Sequence, residues 1–471
     1  MPSPSVAPPF CALRPVFARI AAFVFLASLA LGCQSAPETR VRSHLSGRIT
    51  VSAAIDSVRN YSGFNVLVAN ANGRAIDTLA LATTDINGDF ATAVRAPSAG
   101  IYPLLVRRRG NTLARAELVV TDGDSATLDL ELPHRGLVRI QSEENAALLA
   151  YRNTMALHRQ MAIRNVRTGQ ALSGGMGQSV RQTSSILWSL RRTYPDAYAT
   201  QLASVEAIAL LEGWNDSLAV EYVREISPAN PRYVEAVRVG RRAIARLHGQ
   251  PQALAFLDSA QQATSRAPEK AAIQAERVRA HLDSMQTSKA KAAARVLQTE
   301  YEDTQWAAWA ERALYEMNNL MPNMKAPSFT VRDVTGDTLS LSALSGRPIL
   351  LEFYKPGDRV YQQQVAMRNA IYRATRPQNL ALLSISLEPD TLLNKAFREG
   401  RSLPGQHIIL PSGYDAPLAQ TYNVATVPTR FLIDADGRIV ERYVGVGIMR
   451  LLNDLGIQVE RRPPATAQRT P

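Results

Sequence analysis

GRPILLEFYKPGDRVYQQQV, residues 346–365, changes character twice within twenty positions. After Arg347-Pro348 comes Ile349-Leu350-Leu351-Glu352-Phe353-Tyr354, a short apolar run that predicts a buried central strand. A Pro-Gly turn ends it, and Arg359 to Ala374 then carries helical character. Downstream, Leu380 to Leu387 reads as a second parallel core strand, with a helix from Asp390 to Gly400 over it. Thr426-Val427-Pro428-Thr429 then leads into the apolar strand Arg430-Phe431-Leu432-Ile433. An Asp434–Gly437 turn and a return strand, Ile439 to Val444, complete the pattern. Strands alternating with helices predict a mixed sheet with helices on both faces.

This order, together with the upstream Ala326–Val331 and Leu339–Leu344 segments, resembles the thioredoxin-like domain of TlpA/ResA-type, membrane-anchored disulfide reductases and their AhpC/TSA-related peroxiredoxin cousins. The resemblance implies an α/β thioredoxin-like fold over 326–455. It also implies a W-C-x-x-C motif where the strand enters the helix, faced by a cis-proline loop. The motif is missing. With Phe353-Tyr354 as the strand-end aromatic pair, Asp358 stands at the first cysteine position and Tyr361 at the second. The peroxiredoxin register supplies no cysteine either. Both cysteines of the chain, Cys11 and Cys33, lie in or at the end of the N-terminal leader. Disulfide exchange needs a thiolate and a resolving partner, so no catalytic residue is expected. Asp358 reads more simply as a helix cap. By the resemblance, Val427, Pro428 and Thr429 form a loop that offers the Val427 backbone to an extended peptide. The plainer alternative is that Pro428 only shapes the fold.

The leader runs over residues 1–32. Arg14 and Arg19 precede a thirteen-residue apolar run, Ile20–Gly32, too short to span a bilayer and suited to a secretory signal. Ala30-Leu31-Gly32-Cys33 resembles a bacterial lipobox, which makes Cys33 the expected lipidation site and places the protein in the cell envelope, on the periplasmic or outer-surface side. Residues 33–43 are expected to be a tether. Residues 44–134 alternate apolar and polar, with turns at Asn72-Gly73, Asn87-Gly88 and Asp122-Gly123, and predict an antiparallel β-sandwich. Asp85, Asn87 and Asp89 have the alternate spacing of a calcium loop but lack the later bidentate Glu, so a hairpin turn is the better reading. Residues 135–323 predict helical hairpins, starting at Ser142-Glu143-Glu144 and broken near Pro195, Pro228, Pro231, Gly249 and Pro268. Ser173–Gly177 lacks the Gly-Lys-Ser/Thr ending of a phosphate loop and is expected to be a flexible connector. Residues 456–471 are expected to form a flexible tail.

Composition removes other classes. The net charge is +12, but only six of the 53 basic residues are Lys and the charges are scattered, whereas nucleic-acid binders gather them on one face. Nucleic acid is therefore not an expected partner. The six histidines form no close pair, so no metal is expected, and no cofactor is implied. Two functions follow. The first is a lipid-anchored envelope protein whose redox-inactive thioredoxin-like domain binds a protein or peptide partner. The alternative is a thiol-disulfide oxidoreductase or peroxiredoxin-like antioxidant acting through other residues.

Overall fold

The computed structural model describes residues 41–455, apart from 55–58, 73–74, 135, 137, 169–173, 376 and 378. The leader with Cys11 and Cys33, most of the tether and the 456–471 tail lie outside the described residues. The chain divides into two units at Ala236/Val237.

In the first unit, strands β1 (Val41–Val51), β2 (Asn65–Asn72), β3 (Ala75–Thr83), β4 (Asp89–Ala96), β5 (Gly100–Arg108), β6 (Asn111–Val120) and β7 (Ser125–Leu132) build two sheets. Their orders are β4-β1-β7 and β3-β2-β5-β6. One apolar core joins them: Leu45, Ile49 and Leu128 from the first sheet meet Val66, Leu104 and Leu118 from the second. Two expectations need correcting. β1 starts at Val41, so the last three residues of the expected tether are strand. β1 also runs parallel to β7, which makes the three-stranded sheet mixed and not antiparallel. The pairing closes first strand on last, a long-range contact that no local turn announces. At the β3–β4 turn Asp85 Oδ1 accepts from the main-chain N–H of Asn87 (2.8 Å) and Asp89 (2.9 Å). Gly88 sits there at φ 86°, where a Cβ would stand 2.1 Å from Ile49 O, so only glycine closes this hairpin.

Helices α1 (Glu143–Arg167), α2 (Gly175–Thr193), α3 (Tyr198–Leu211) and α4 (Asp216–Arg224) follow. Ser142 caps α1 by accepting from Asn145 N–H, with Glu143 and Glu144 in the first turn. The expected Ser173–Gly177 connector is largely helix: Gly174 caps α2 at φ 87° and Gly175–Gly177 form its first turn. A Cβ on Gly177 would stand 3.3 Å from the Trp214 ring, so the glycine there serves close packing.

The unit boundary falls inside α5 (Tyr233–His248). The second unit continues with α6 (Gln250–Ala263), α7 (Ala267–Asp283), α8 (Thr287–Glu300) and α9 (Gln305–Asn319). Gly249 caps α6 at φ 87°, and prolines occupy the first turns of α6 and α7, the one place in a helix where the missing N–H costs nothing. Next come a small hairpin, β8 (Thr330–Arg332) with β9 (Thr338–Ser340), then β10 (Ile349–Tyr354), α10 (Arg359–Ala374), β11 (Ala381–Ser386), α11 (Thr391–Arg401), β12 (Gln406–Ile409), α12 (Pro417–Thr421), β13 (Thr429–Ile433), β14 (Ile439–Val444) and α13 (Ile448–Asp454). The main sheet has order β12-β11-β10-β13-β14. β10, β11 and β12 are parallel; β13 and β14 are antiparallel. Every β10 residue is buried. Leu351 and Phe353 pack to one side with Ala419 and Tyr422. Leu350 packs to the other with Leu382, Leu432, Ile371 of α10 and Leu451 of α13. The central strand, paired parallel to β11 and antiparallel to β13, is thus covered on both faces of a mixed sheet.

Candidate functional site

Alternation along β10 decides what the site contains. Glu352 has the same parity as Leu350, so its carboxylate points to the α10 side of the sheet. Register places Ser384 of β11 on one side of it and Arg430 of β13 on the other. All three are fully buried. Glu352 Oε1 accepts from Arg430 Nε at 2.8 Å, and Oε2 accepts from Arg368 Nε of α10 at 2.7 Å. Arg368 also donates to Ser384 Oγ and to Pro404 O. Arg430 Nη1 donates to Gln364 Oε1 at 2.9 Å. Burial alone would raise the Glu352 pKa. The two guanidiniums overcome that and hold it at about 2. The parts played by Arg368, Ser384 and Arg430 were not foreseen from the sequence.

Asp358 caps α10: its Oδ1 accepts from Tyr361 N–H at 2.7 Å. Both expected exchange positions are therefore engaged by local structure. Tyr361 is fully buried, its ring stacked on Tyr354 with centroids 4.4 Å apart. Its hydroxyl donates to Glu352 Oε2 at 3.1 Å. Burial, then the Glu352 charge, push the phenol well above its ordinary pKa, so it stays protonated at any physiological pH. Of the two, only the Asp358 position is open to solvent.

Phe353 of β10 pairs with Thr429 of β13, so the 427–429 loop stands beside the carboxyl end of the central strand. The Val427–Pro428 peptide is cis. Val427 is partly exposed, and among the described residues no main-chain hydrogen bond engages it. The other two residues contribute less than expected. Pro428 is buried, its carbonyl accepting from Gly445 N–H. Thr429 is fully buried and its hydroxyl turns back to Thr426 O at 2.7 Å, so it presents no side chain to a ligand. A groove of about 600 Å³ is lined by Glu311, Arg312 and Tyr315 of α9 and by Tyr414, Asn423 and Ala425; none of the 427–429 residues lines it, and Ala425 is two residues before Val427. Helix α9 is fixed there: Tyr315 donates to Thr421 O, and Arg442 pairs with Glu316.

A central strand running into a capped helix, with a cis-proline loop at its carboxyl end, defines a thioredoxin-like domain. Residues 322–442 match the AhpC/TSA family. Thiol-disulfide oxidoreductase ResA of Bacillus cereus is 26% identical over 123 residues, 26% of this chain and 68% of that protein. ResA of Geobacillus kaustophilus is 29% identical over 122 residues, 26% of this chain and 67% of that protein. Among solved structures, the thioredoxin domain of a thiol-disulfide oxidoreductase from Bacteroides vulgatus aligns over its whole length and 30% of this chain, at 18% identity and a TM-score of 0.27. The C-terminal domain is a thioredoxin-like domain of the TlpA/ResA type. Among the described residues no helix is long and apolar enough to cross a membrane.

Proposed function

We propose that this is an extracytoplasmic protein, anchored through lipid on Cys33, whose thioredoxin-like domain binds a protein or peptide partner without thiol chemistry. We read the two β sheets around one core as a sandwich, and the helices as stacked hairpins, both presented outside the membrane with it. The observation that carries the reading is the fate of the two exchange positions. One holds a carboxylate used as a helix cap, the other a buried phenol bonded to Glu352. Neither forms a mixed disulfide. The Val427 main chain, which among the described residues meets no main-chain hydrogen-bond partner, favours strand-like pairing with an extended peptide.

The relatives are thiol-disulfide oxidoreductases, which favours a second reading in which the domain serves thiol-disulfide exchange. One assay separates the two. Purified protein lacking the leader is expected to reduce insulin disulfides and consume peroxide no faster than buffer; turnover above background sinks the binding reading. The positive control is Asp358→Cys alone, since Tyr361→Cys would open a cavity and strip Glu352 of a hydrogen bond. A thiol at the α10 N-terminus should have a lowered pKa and react with iodoacetamide faster than free cysteine at pH 7. An unreactive thiol there would show that position 358 is not the exchange position.

A further inference from the structure

The β6 strand is the outer edge of its sheet; among the described residues β5 is the one strand paired with it. Val119 N–H points away from β5, because it donates to Asn145 Oδ1 on α1 at 3.1 Å. Two-residue alternation puts the main-chain groups of Glu117 and Arg115 on the same outer side. Pro103, which has no N–H to give, stands opposite Glu117 on β5, consistent with a pair that makes no β5–β6 hydrogen bond. A free strand edge is ordinarily a hazard that proteins cover or blunt.

Here the edge opens into a groove. One stretch of about 340 Å³ is lined by Ala116, Glu117, Val138, Leu148 and Arg152. It is continuous through Arg115 and Val138 with a second, of about 310 Å³, that reaches Thr112. Side chains from both faces of β6 line it, since Arg115 and Glu117 alternate with Ala114 and Ala116. The groove therefore follows the strand edge and not one face of the sheet. From Thr112 to Glu117 it offers about 17 Å, room for roughly five extended residues. The apolar floor comes from Val138, Ile140 and Leu148. The rim is basic. Arg152 is paired to Glu117 through two hydrogen bonds of 2.9 and 2.8 Å. Arg115 and Arg139 are exposed and meet no acidic partner among the described residues.

We propose that the β6 edge is a docking site for an extended acidic segment of another protein, added as a further strand to the sheet. The main chain of Arg115 and Glu117 supplies the ladder, the apolar floor takes alternate side chains, and Arg115 and Arg139 meet the carboxylates. This site lies in the first unit and is independent of the thioredoxin-like domain.

The test uses the full chain without its leader and a fluorescein-labelled ten-residue peptide of alternating valine and glutamate. Two control peptides replace glutamate by lysine or N-methylate alternate amides. Anisotropy should show saturable binding of the glutamate peptide, at least about tenfold weaker for Arg115→Glu/Arg139→Glu and weakening with salt. N-methylation should abolish it. Both arginines are exposed, so the variant should melt with the wild type; if it does not, Arg115→Gln/Arg139→Gln, which only removes charge, replaces it. Absence of saturable binding, equal binding of the lysine peptide, or indifference to N-methylation overturns the proposal. So does concentration-dependent dimerisation in sedimentation that the arginine variant abolishes, because the groove would then belong to a second copy.

Discussion

Replacing Glu352 by glutamine keeps the shape of the side chain and removes the one negative charge between two buried guanidiniums. The carboxyl is held at about 2 against an ordinary 4.5. At 1.36 kcal/mol per unit, that is about 3 kcal/mol in favour of the charged form. Breaking a buried ion pair by deleting one partner costs about 3–5 kcal/mol in general, so the two estimates meet at about 3. The pH dependence follows from the sign. A depressed folded-state pKa gives stability that is fully present above about 4.5 and lost as pH falls toward 2. Glu352→Gln should therefore be strongly destabilised at pH 7, and within about 1 kcal/mol of the wild type by about pH 2.5, where most of the pH-dependent stability has been lost. Fluorescence is a poor probe, because all four tryptophans (188, 214, 306 and 309) precede the thioredoxin-like domain. Native-state hydrogen exchange on peptides covering β10 and β13 reports the right region. About 3 kcal/mol corresponds to about a hundredfold loss of protection at pH 7. A loss below tenfold, or an equal loss at pH 2.5, would refute the assignment of Glu352 as the charge that holds Arg368 and Arg430.

The same network makes a second prediction of opposite sign. Glu352→Leu, Arg368→Met and Arg430→Leu made together should leave β10 protection unchanged or raise it by about 1–4 kcal/mol, since buried ion pairs seldom outperform apolar packing; a triple variant weaker than Glu352→Gln counts against this. Asp358→Ala removes the acceptor for Tyr361 N–H and should lower α10 protection by about 1 kcal/mol, while Asp358→Asn retains it; equal losses from both would point away from capping. Cys33→Ser should release the protein from the membrane fraction or leave it unprocessed. A membrane-bound variant of unchanged mass would remove the lipid anchor from the reading.

The sequence made the elements of the C-terminal domain legible because their boundaries are local. An apolar hexapeptide ended by Pro356-Gly357, then a helix opened by Asp358, leaves little choice, and β10, α10 and β14 end where the pattern ends. What stayed hidden depends on which strands are neighbours. The parallel β1–β7 pair joins residues some eighty positions apart, and every turn between them points to hairpins. Arg430 is 78 residues from Glu352, and only the β10–β13 register sets them side by side.

A signal for the network was nevertheless present. An acid inside an otherwise apolar strand must find cations of its own parity, or the strand would not be buried. Arg430 opens the apolar strand at 430–433, and Arg368 stands three residues from both Val365 and Ile371 on the buried face of α10. Each is out of place by hydrophobic pattern alone, and the three misfits answer one another. Tyr361 was read as a vacated exchange position. Its phenol instead closes the same network from the helix side, so the residue lost to thiol chemistry is accounted for by the core beneath it. This also explains why a single Tyr361→Cys substitution cannot restore a redox pair: it removes a ring stacked on Tyr354 and a donor to Glu352 together, and the new thiol would face a buried carboxylate that opposes its ionisation.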